Sequence, residues 1–482
     1  MSADSLLAIL EPTAQIVALV VIVTGLANNA VYTVEILVAW LELRGRPPVE
    51  RSGALWSEFG DIAMPITLIV PAYNEEATIV ESVRSFLSLN YPVFDIVVVN
   101  DGSKDGTLQA LIDEFLLTPV VRDFEPEVVH RPIRQLLGTE NHPNLLVVDK
   151  ANGGKADALN AGINLTRLPL FCAVDADSIL DPDALIRAVV PFIEDPERTV
   201  AVGGTIRIAN GCTVRGGRIV DVGLARQPLA LLQTVEYLRA FLMARVAQSR
   251  MRILTLISGA FGIFQRDVAV AVGGFSQNTV GEDFEIVVKI HRHMLERGRP
   301  YVIEYVPDPV CWTEAPESLI VLGRQRIRWQ RGALETFAKH KDMLFNPRYG
   351  RVGILGFGLI LLTDVLSPFF ECLGLLLIPA FWAIGALDAS YALAFMAVSF
   401  SYGVFLSIGA IVLEELELKR FPKVVDLVVL TVAAIVENFG YRQINNVWRL
   451  VGCWRYLRGA EGWGSMPRRG FRPSASAVRR DP

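Results

Sequence analysis

Two carboxylates, Asp175 and Asp177, sit two positions apart in A-V-D-A-D-S (173–178), directly after the apolar run LFCAV. Paired oxygens suit a hard divalent cation, Mg2+ or Mn2+, which takes one or two protein carboxylates and completes its shell with substrate phosphates and water. An acid-rich helix start capped by Asp181 has the same composition, so the pair alone leaves both readings open. V-G-E-D-F-E (280–285) puts Glu282 and Asp283 at the head of an amphipathic pattern. A carboxylate there can take a proton from an attacking hydroxyl as a general base, or simply complement a helix N-terminus. K-A-N-G-G-K (150–155) sets Lys150 and Lys155 around a glycine turn, where backbone N–H groups and an ammonium suit a diphosphate. An ordinary helix start with solvated lysines reads the same, and the P-loop order G-x-x-x-x-G-K-[ST] is absent. In V-N-D-G-S-K-D-G-T (99–107), Asp101 can accept a hydrogen bond from a base or ribose, although Asp, Gly and Ser are also what a plain turn favours. G-R-Q-R-I-R-W-Q-R-G (323–332) gathers Arg324, Arg326, Arg328 and Arg331 around Trp329. Arginine braces a diphosphate and tryptophan offers a platform to a sugar ring; the same run suits a basic helix on anionic lipid.

These residues need a scaffold, and the pattern around them predicts one. ITLIV (66–70), DIVVV (95–99), NLLVV (144–148) and LFCAV (170–174) read as buried strands, with helices over 75–89, 104–117 and 155–166. Such alternation marks an α/β fold with a parallel, Rossmann-type sheet. Ligands bind beyond the carboxyl ends of strands in such sheets, and that is where the polar clusters fall.

The chain has 482 residues, 52% hydrophobic and 20% charged, with a mean hydropathy of +0.38. That excludes disorder and leans toward the membrane. A net charge of −5 argues against a nucleic-acid partner. The five cysteines show no metal-ligand spacing and read as free thiols. Residues 14–41 are long and apolar enough to span a bilayer. Acidic Asp4 and Glu11 precede them where a signal peptide would be basic. Arg44, Arg46 and Arg51 follow, so the positive-inside rule puts the next segment in the cytoplasm. Further apolar stretches cover 352–387, 391–413 and 424–440. Three spans there would carry the Arg-rich tail outside. Either 424–440 is re-entrant or interfacial, or 352–387 crosses twice around Pro368; Lys419, Arg420 and Lys423 between spans look cytoplasmic. Asp364 and Glu371 are expensive in lipid and are expected to face protein or a wet cavity. The expected organisation is an anchor (1–43), a linker (44–61), a cytosolic domain (62–345), a membrane region (346–440) and a basic Arg/Trp-rich tail (441–482).

In order and spacing, P-A-Y-N-E, N-D-G-S-x-D-G-T, K-A-D-A-L-N, D-A-D, G-E-D and Q-R-I-R-W resemble the membrane-embedded processive glycosyltransferases of family 2: the cellulose, chitin, hyaluronan and poly-N-acetylglucosamine synthases. The resemblance covers about residues 62–345. It implies a GT-A-like nucleotide-sugar domain inserted between transmembrane helices of a bacterial-type inner membrane. The implied enzyme is an inverting, metal-dependent transferase using a UDP-sugar, UDP-N-acetylglucosamine by preference, a polysaccharide acceptor, and partner subunits in the membrane or periplasm. Ala72, Tyr73 and Glu75 with Asp101 are implied at the uridine, Lys155 at the diphosphate, Asp175 at the nucleotide and Asp177, with Asp175, at the metal. Asp283 is implied as general base, with Gln325, Arg328 and Trp329 by the acceptor end. SGAFGIFQR (258–266) resembles a loop lining the acceptor entrance. Asn100 stands where many relatives carry a second Asp, so that acid has no counterpart here, and no PilZ pattern follows the membrane region. A nonprocessive transferase acting on a lipid carrier, and a nucleotide-binding membrane scaffold without turnover, are the competing readings.

Overall fold

The computed structural model describes residues 3–44, 52–417 and 423–459. Arg46, Arg51, Lys419, Arg420 and the tail from Ala460 onward lie outside the described residues. The chain divides into two compact units: Pro47–Ala230 with Leu254–Pro316, and Met1–Arg46 with Leu231–Ile253 and Glu317–Trp463. Residues 231–253 and 317–345, expected within the cytosolic domain, therefore group with the apolar helices.

The first unit is built on strands β1 (Ile66–Ala72), β2 (Phe94–Asn100), β3 (Thr118–Val120), β4 (Ile133–Gly138), β5 (Leu145–Lys150), β6 (Leu170–Val174), β7 (Ile179–Leu180), β8 (Thr199–Ile208), β9 (Thr213–Arg215), β10 (Arg218–Asp221), β11 (Phe261–Gln265) and β12 (Val302–Thr313). Ten form one sheet in the order β3-β4-β5-β2-β1-β6-β11-β8-β12-β7, and β9 and β10 pair separately. The predicted strands are the parallel half, β5-β2-β1-β6. They are apolar without alternation because helices cover both faces. Register aligns their carboxyl ends, with Ala72 opposite Asn100 and Asn100 opposite Asp149. Helices Ile79–Leu87, Thr107–Phe115 and Lys155–Leu165 fill the intervals expected of them.

The other half of the sheet is a finding beyond the parallel expectation. β11 runs antiparallel to both β6 and β8, so the sheet is mixed. This also corrects the reading of 258–266 as an entrance loop: Phe261–Gln265 is a central strand, its first four residues buried, and only Ser258–Ala260 precede it as a turn.

In the second unit, three helices among the described residues are long and apolar enough to cross a membrane: Leu10–Leu43, Val352–Ala383 and Ala389–Leu416. Val352–Ala383 stays helical through Pro368, although its hydrogen-bond register changes there, which favours one passage over two. The fourth stretch is the helix Val424–Val436, bent by 54° from the helix Tyr441–Leu457. Its 13 residues rise only about 20 Å, short of the roughly 30 Å hydrocarbon core. The apolar segments' acids are partnered as expected. Glu371 accepts from Arg442 at 2.8 Å and Asn446 at 2.6 Å, and Asp364 pairs with Arg449 at 3.0 Å.

Candidate active site

The site is assembled along the carboxyl edge of the parallel strands. The loops after β1 and β2 are knitted into one piece. Asp101 N–H donates to Ala72 O at 2.9 Å. Asn74, held at φ 56°, donates its N–H to Ser103 Oγ at 3.0 Å and accepts from Lys104 N–H at 2.8 Å. Glu75 N–H donates to Thr107 Oγ1 at 2.8 Å, and Glu76 Oε2 accepts from Gly106 N–H at 3.0 Å. Within this clasp Ala72 is buried, whereas Tyr73 is 45% exposed.

Asp101 is itself buried and its carboxylate is heavily used. Oδ1 accepts from Lys150 Nζ at 2.5 Å and Gly153 N–H at 3.0 Å; Oδ2 accepts from Gly154 N–H at 2.7 Å and Asn152 Nδ2 at 3.1 Å. Lys150 has no exposed side-chain surface and also pairs with the buried Asp157. Asp157 in turn accepts Arg131 N–H at 2.9 Å. Lys150 is therefore no diphosphate ligand: it is the buried cation that holds the Asn152–Gly154 turn against Asp101. That turn delivers Lys155 to the first position of its helix.

Lys155 is partly exposed and its ammonium sits among acids and a backbone carbonyl. It pairs with Asp175, lies 3.7 Å from Glu282 Oε1, and donates to Gly259 O at 3.4 Å. Burial works against its charge, but Asp175, Glu282 and Asp283 outweigh it and raise its pKa above the usual lysine value. Asp283, at the start of the helix Glu282–Glu296, accepts Gly259 N–H on Oδ2 at 3.0 Å and Phe284 N–H on Oδ1 at 2.9 Å. Gly259 thus touches Lys155 through its carbonyl and Asp283 through its amide. A Cβ built there would lie 2.7 Å from Lys155 Nζ and 3.3 Å from Asp283 Oδ2, so a side chain at this position would push the Lys155 ammonium aside. His291 on the same helix anchors the approach to this turn. Its Nε2 lies 2.7 Å from Leu254 O and its Nδ1 2.6 Å from Tyr301 Oη. Burial pushes its pKa down to about 4, so it is a neutral core residue.

For a metal, the chain supplies Asp175, partly exposed at the end of β6, and Asp177, buried in the turn before β7. Among the described residues no group of three or more His, Cys, Asp and Glu side chains is arranged to hold a metal ion. Two carboxylates fit Mg2+ or Mn2+ only as part of a shell that phosphate oxygens complete. The ammonium on Asp175 marks that carboxylate as a place that accepts positive charge.

Gln325, Arg328 and Trp329 lie in the second unit, on the helix Leu319–Lys339. Their i, i+3, i+4 spacing puts them on one face, with Trp329 44% exposed. Arg326 turns inward instead, pairing with Glu236 at 2.8 Å, and its guanidinium stacks 4.2 Å from the Trp329 ring centroid.

Residues 67–269 match the family described as Glycosyl transferase family 2, and residues 170–406 match Glycosyl transferase family group 2. Taken together, the two matches run over residues 67–406 and identify a family 2 glycosyltransferase domain in this chain. A poly-beta-1,6-N-acetyl-D-glucosamine synthase of Staphylococcus epidermidis is 29% identical over 292 residues, 61% of this chain and 60% of that protein. One from Staphylococcus aureus (strain COL) is 30% identical over 274 residues, 57% of this chain and 56% of the relative. The chain thus spans less than two thirds of the length of the curated relatives it matches. A solved mannosyltransferase from Pyrobaculum calidifontis, in complex with GDP-Man and Mn2+, superposes with a TM-score of 0.51 at 22% identity. It covers 88% of this chain and 99% of its own and shares the fold. Of the residues singled out from sequence, the structure brings Lys155, Asp175 and Asp283 together around Gly259. Sequence reasoning missed Gly259 as their bridge, whose one signal was a glycine just before a buried strand, and it missed Lys150 and Asp157 as the loop's internal ties.

Proposed function

We propose that this transferase moves N-acetylglucosamine from UDP-N-acetylglucosamine to the free end of a growing β-linked polysaccharide, inverting the anomeric carbon. The observation that carries the reading is the cluster of Lys155, Asp175 and Asp283 around Gly259 at the strand edge. The relatives' printed activity supports the sugar. Asp283 takes the proton from the acceptor hydroxyl as its oxygen attacks the anomeric carbon. The bond from that carbon to the diphosphate oxygen breaks, and UDP leaves with the electron pair. Lys155 faces the developing charge, the kind of electrostatic help that is usually the largest single contribution. Tyr73 and Glu75 frame the uridine beside the loop that Asp101 braces. Asp177 and Asp175 would hold a divalent cation together with the diphosphate, and such an ion neutralises leaving-group charge. Gln325, Arg328 and Trp329 would serve the acceptor end. The apolar helices fit a multi-pass inner-membrane protein with its sheet unit in the cytoplasm, helping to translocate the product with membrane or periplasmic partners.

The test is the full chain in lipid nanodiscs with Mg2+ or Mn2+, offered UDP-N-acetylglucosamine, UDP-glucose, UDP-galactose and UDP-glucuronate separately. UDP release with the first donor and a high-mass product is expected. Short or lipid-linked product would instead mean a nonprocessive transferase, and silence with every donor would remove the enzyme reading. In the same assay Gly259→Ala is expected to lower turnover about tenfold or more, because its Cβ displaces the Lys155 ammonium. An unchanged rate would show that Lys155 can move aside without consequence.

A further inference from the structure

The span Val352–Ala383 contains a break with a defined origin. A π-helical turn over Ile360–Leu366 leads into the α-helix Ser367–Ala383. Ser367 N–H reaches back five residues to Leu362 O, whereas the following helix bonds four residues back. Pro368 has no N–H to give. Between the two registers Phe369 alone offers an amide, while the carbonyls of Thr363, Asp364 and Val365 await one. Two carbonyls are left over inside an apolar segment, where an unmade hydrogen bond is costly.

Two side chains from other helices meet that need. Gln330 Nε2 donates to Asp364 O at 2.6 Å. Arg449 Nη2 donates to Thr363 O at 2.8 Å, to Asp364 O at 3.3 Å and to Asp364 Oδ1 at 3.0 Å. Arg449 Nε then donates to Gln330 Oε1 at 2.8 Å, joining the two. Gln330 is buried and directly follows Trp329 in the chain. The helix Tyr441–Leu457 lies hard against this point: a Cβ at Gly452 would be 2.8 Å from Gln330 Cβ and 2.9 Å from Ile327 O. The Arg-rich segment after 441 thus begins with a packed helix whose Arg442 and Arg449 are spent inside the protein.

We infer that Gln330 and Arg449 are positioning residues: they pin the Leu319–Lys339 helix, and with it the Gln325, Arg328 and Trp329 face, to the helix break at Pro368. Their effect on turnover rests on the reading that this face serves the acceptor end. The pinning itself is independent of that reading.

The test uses the full chain in nanodiscs with Arg449→Lys and Gln330→Met, the first keeping the charge and the second the length. Hydrogen exchange over residues 319–332 needs no turnover, so it reads the pinning even if the wild type releases no UDP. Both variants are expected to speed exchange there while leaving the strands β1, β2 and β6 unchanged. With an active wild type, kcat is expected to fall about tenfold, with shorter product and a donor KM within about twofold, because only the acceptor side is misplaced. Unchanged exchange over 319–332 in whichever variant inserts would overturn the pinning. Faster exchange with unaltered kcat and product length would overturn the positioning role.

Discussion

Asp283→Asn is expected to reduce sugar transfer by about 10²–10⁴-fold, the usual worth of a positioned general base, while UDP binding stays within about twofold. The geometry explains the split. An asparagine amide oxygen can still accept Gly259 N–H at the position where Oδ2 now does so at 3.0 Å, so the turn keeps its shape. Lys155 keeps Asp175 and Glu282 and remains a cation for the diphosphate. What disappears is the basic lone pair. Initial rates of UDP release paired with calorimetric UDP titration make the check. Equal loss of both quantities would sink the base assignment, because it would mean that Asp283 holds the donor or the fold.

The parallel half of the sheet was legible because its strands are uninterrupted apolar runs ending in polar turns, a pattern that burial on both faces imposes. The reversed strand β11, antiparallel to both of its neighbours, was not. F-G-I-F is as apolar as the parallel strands, and composition carries no sign of direction; that depends on the connections made by distant elements. At the site, residue type and spacing found Lys155, Asp175 and Asp283, since each follows a strand or opens a helix at the same edge. They did not separate the two lysines of K-A-N-G-G-K. Lys150 is the last residue of β5 and points inward, Lys155 opens a helix and points to the crevice, and five positions of a glycine-containing turn conceal that difference. Asp101 read as a ligand for the base because an acid after a strand faces outward in isolation. Here the loop after β5 folds over it and donates Gly153 and Gly154 N–H to it. The break at Pro368 was visible as a proline in an apolar stretch, but its consequence depends on Gln330 and Arg449, 38 residues before and 81 after it in the chain.

Lys150→Met tests the internal tie and carries the largest expected effect on stability. Asp101 and Asp157 share this one buried ammonium, and neither has more than 4% of its side chain exposed. Removing one partner of a buried ion pair typically costs about 3–5 kcal/mol, because the charge left behind stays buried without compensation. Here two carboxylates would be left facing each other. Against a total stability of roughly 5–15 kcal/mol that is a large share, and it corresponds to a fall of about ten degrees in the thermal midpoint of the sheet unit. The double substitution Lys150→Met with Asp157→Asn should recover part of the loss. It leaves only Asp101 ionised, still accepting from Gly153, Gly154 and Asn152. Thermal unfolding of the full chain in detergent, followed by near-ultraviolet circular dichroism, distinguishes the outcomes. If the single variant melts with the wild type, the triad contributes no net stability and the turn is held by backbone hydrogen bonds alone. If the double variant melts below the single one, Asp157 matters through its hydrogen bond to Arg131 rather than through charge. Recovery in the double variant would show that the cost arises from the two carboxylates left without their shared ammonium.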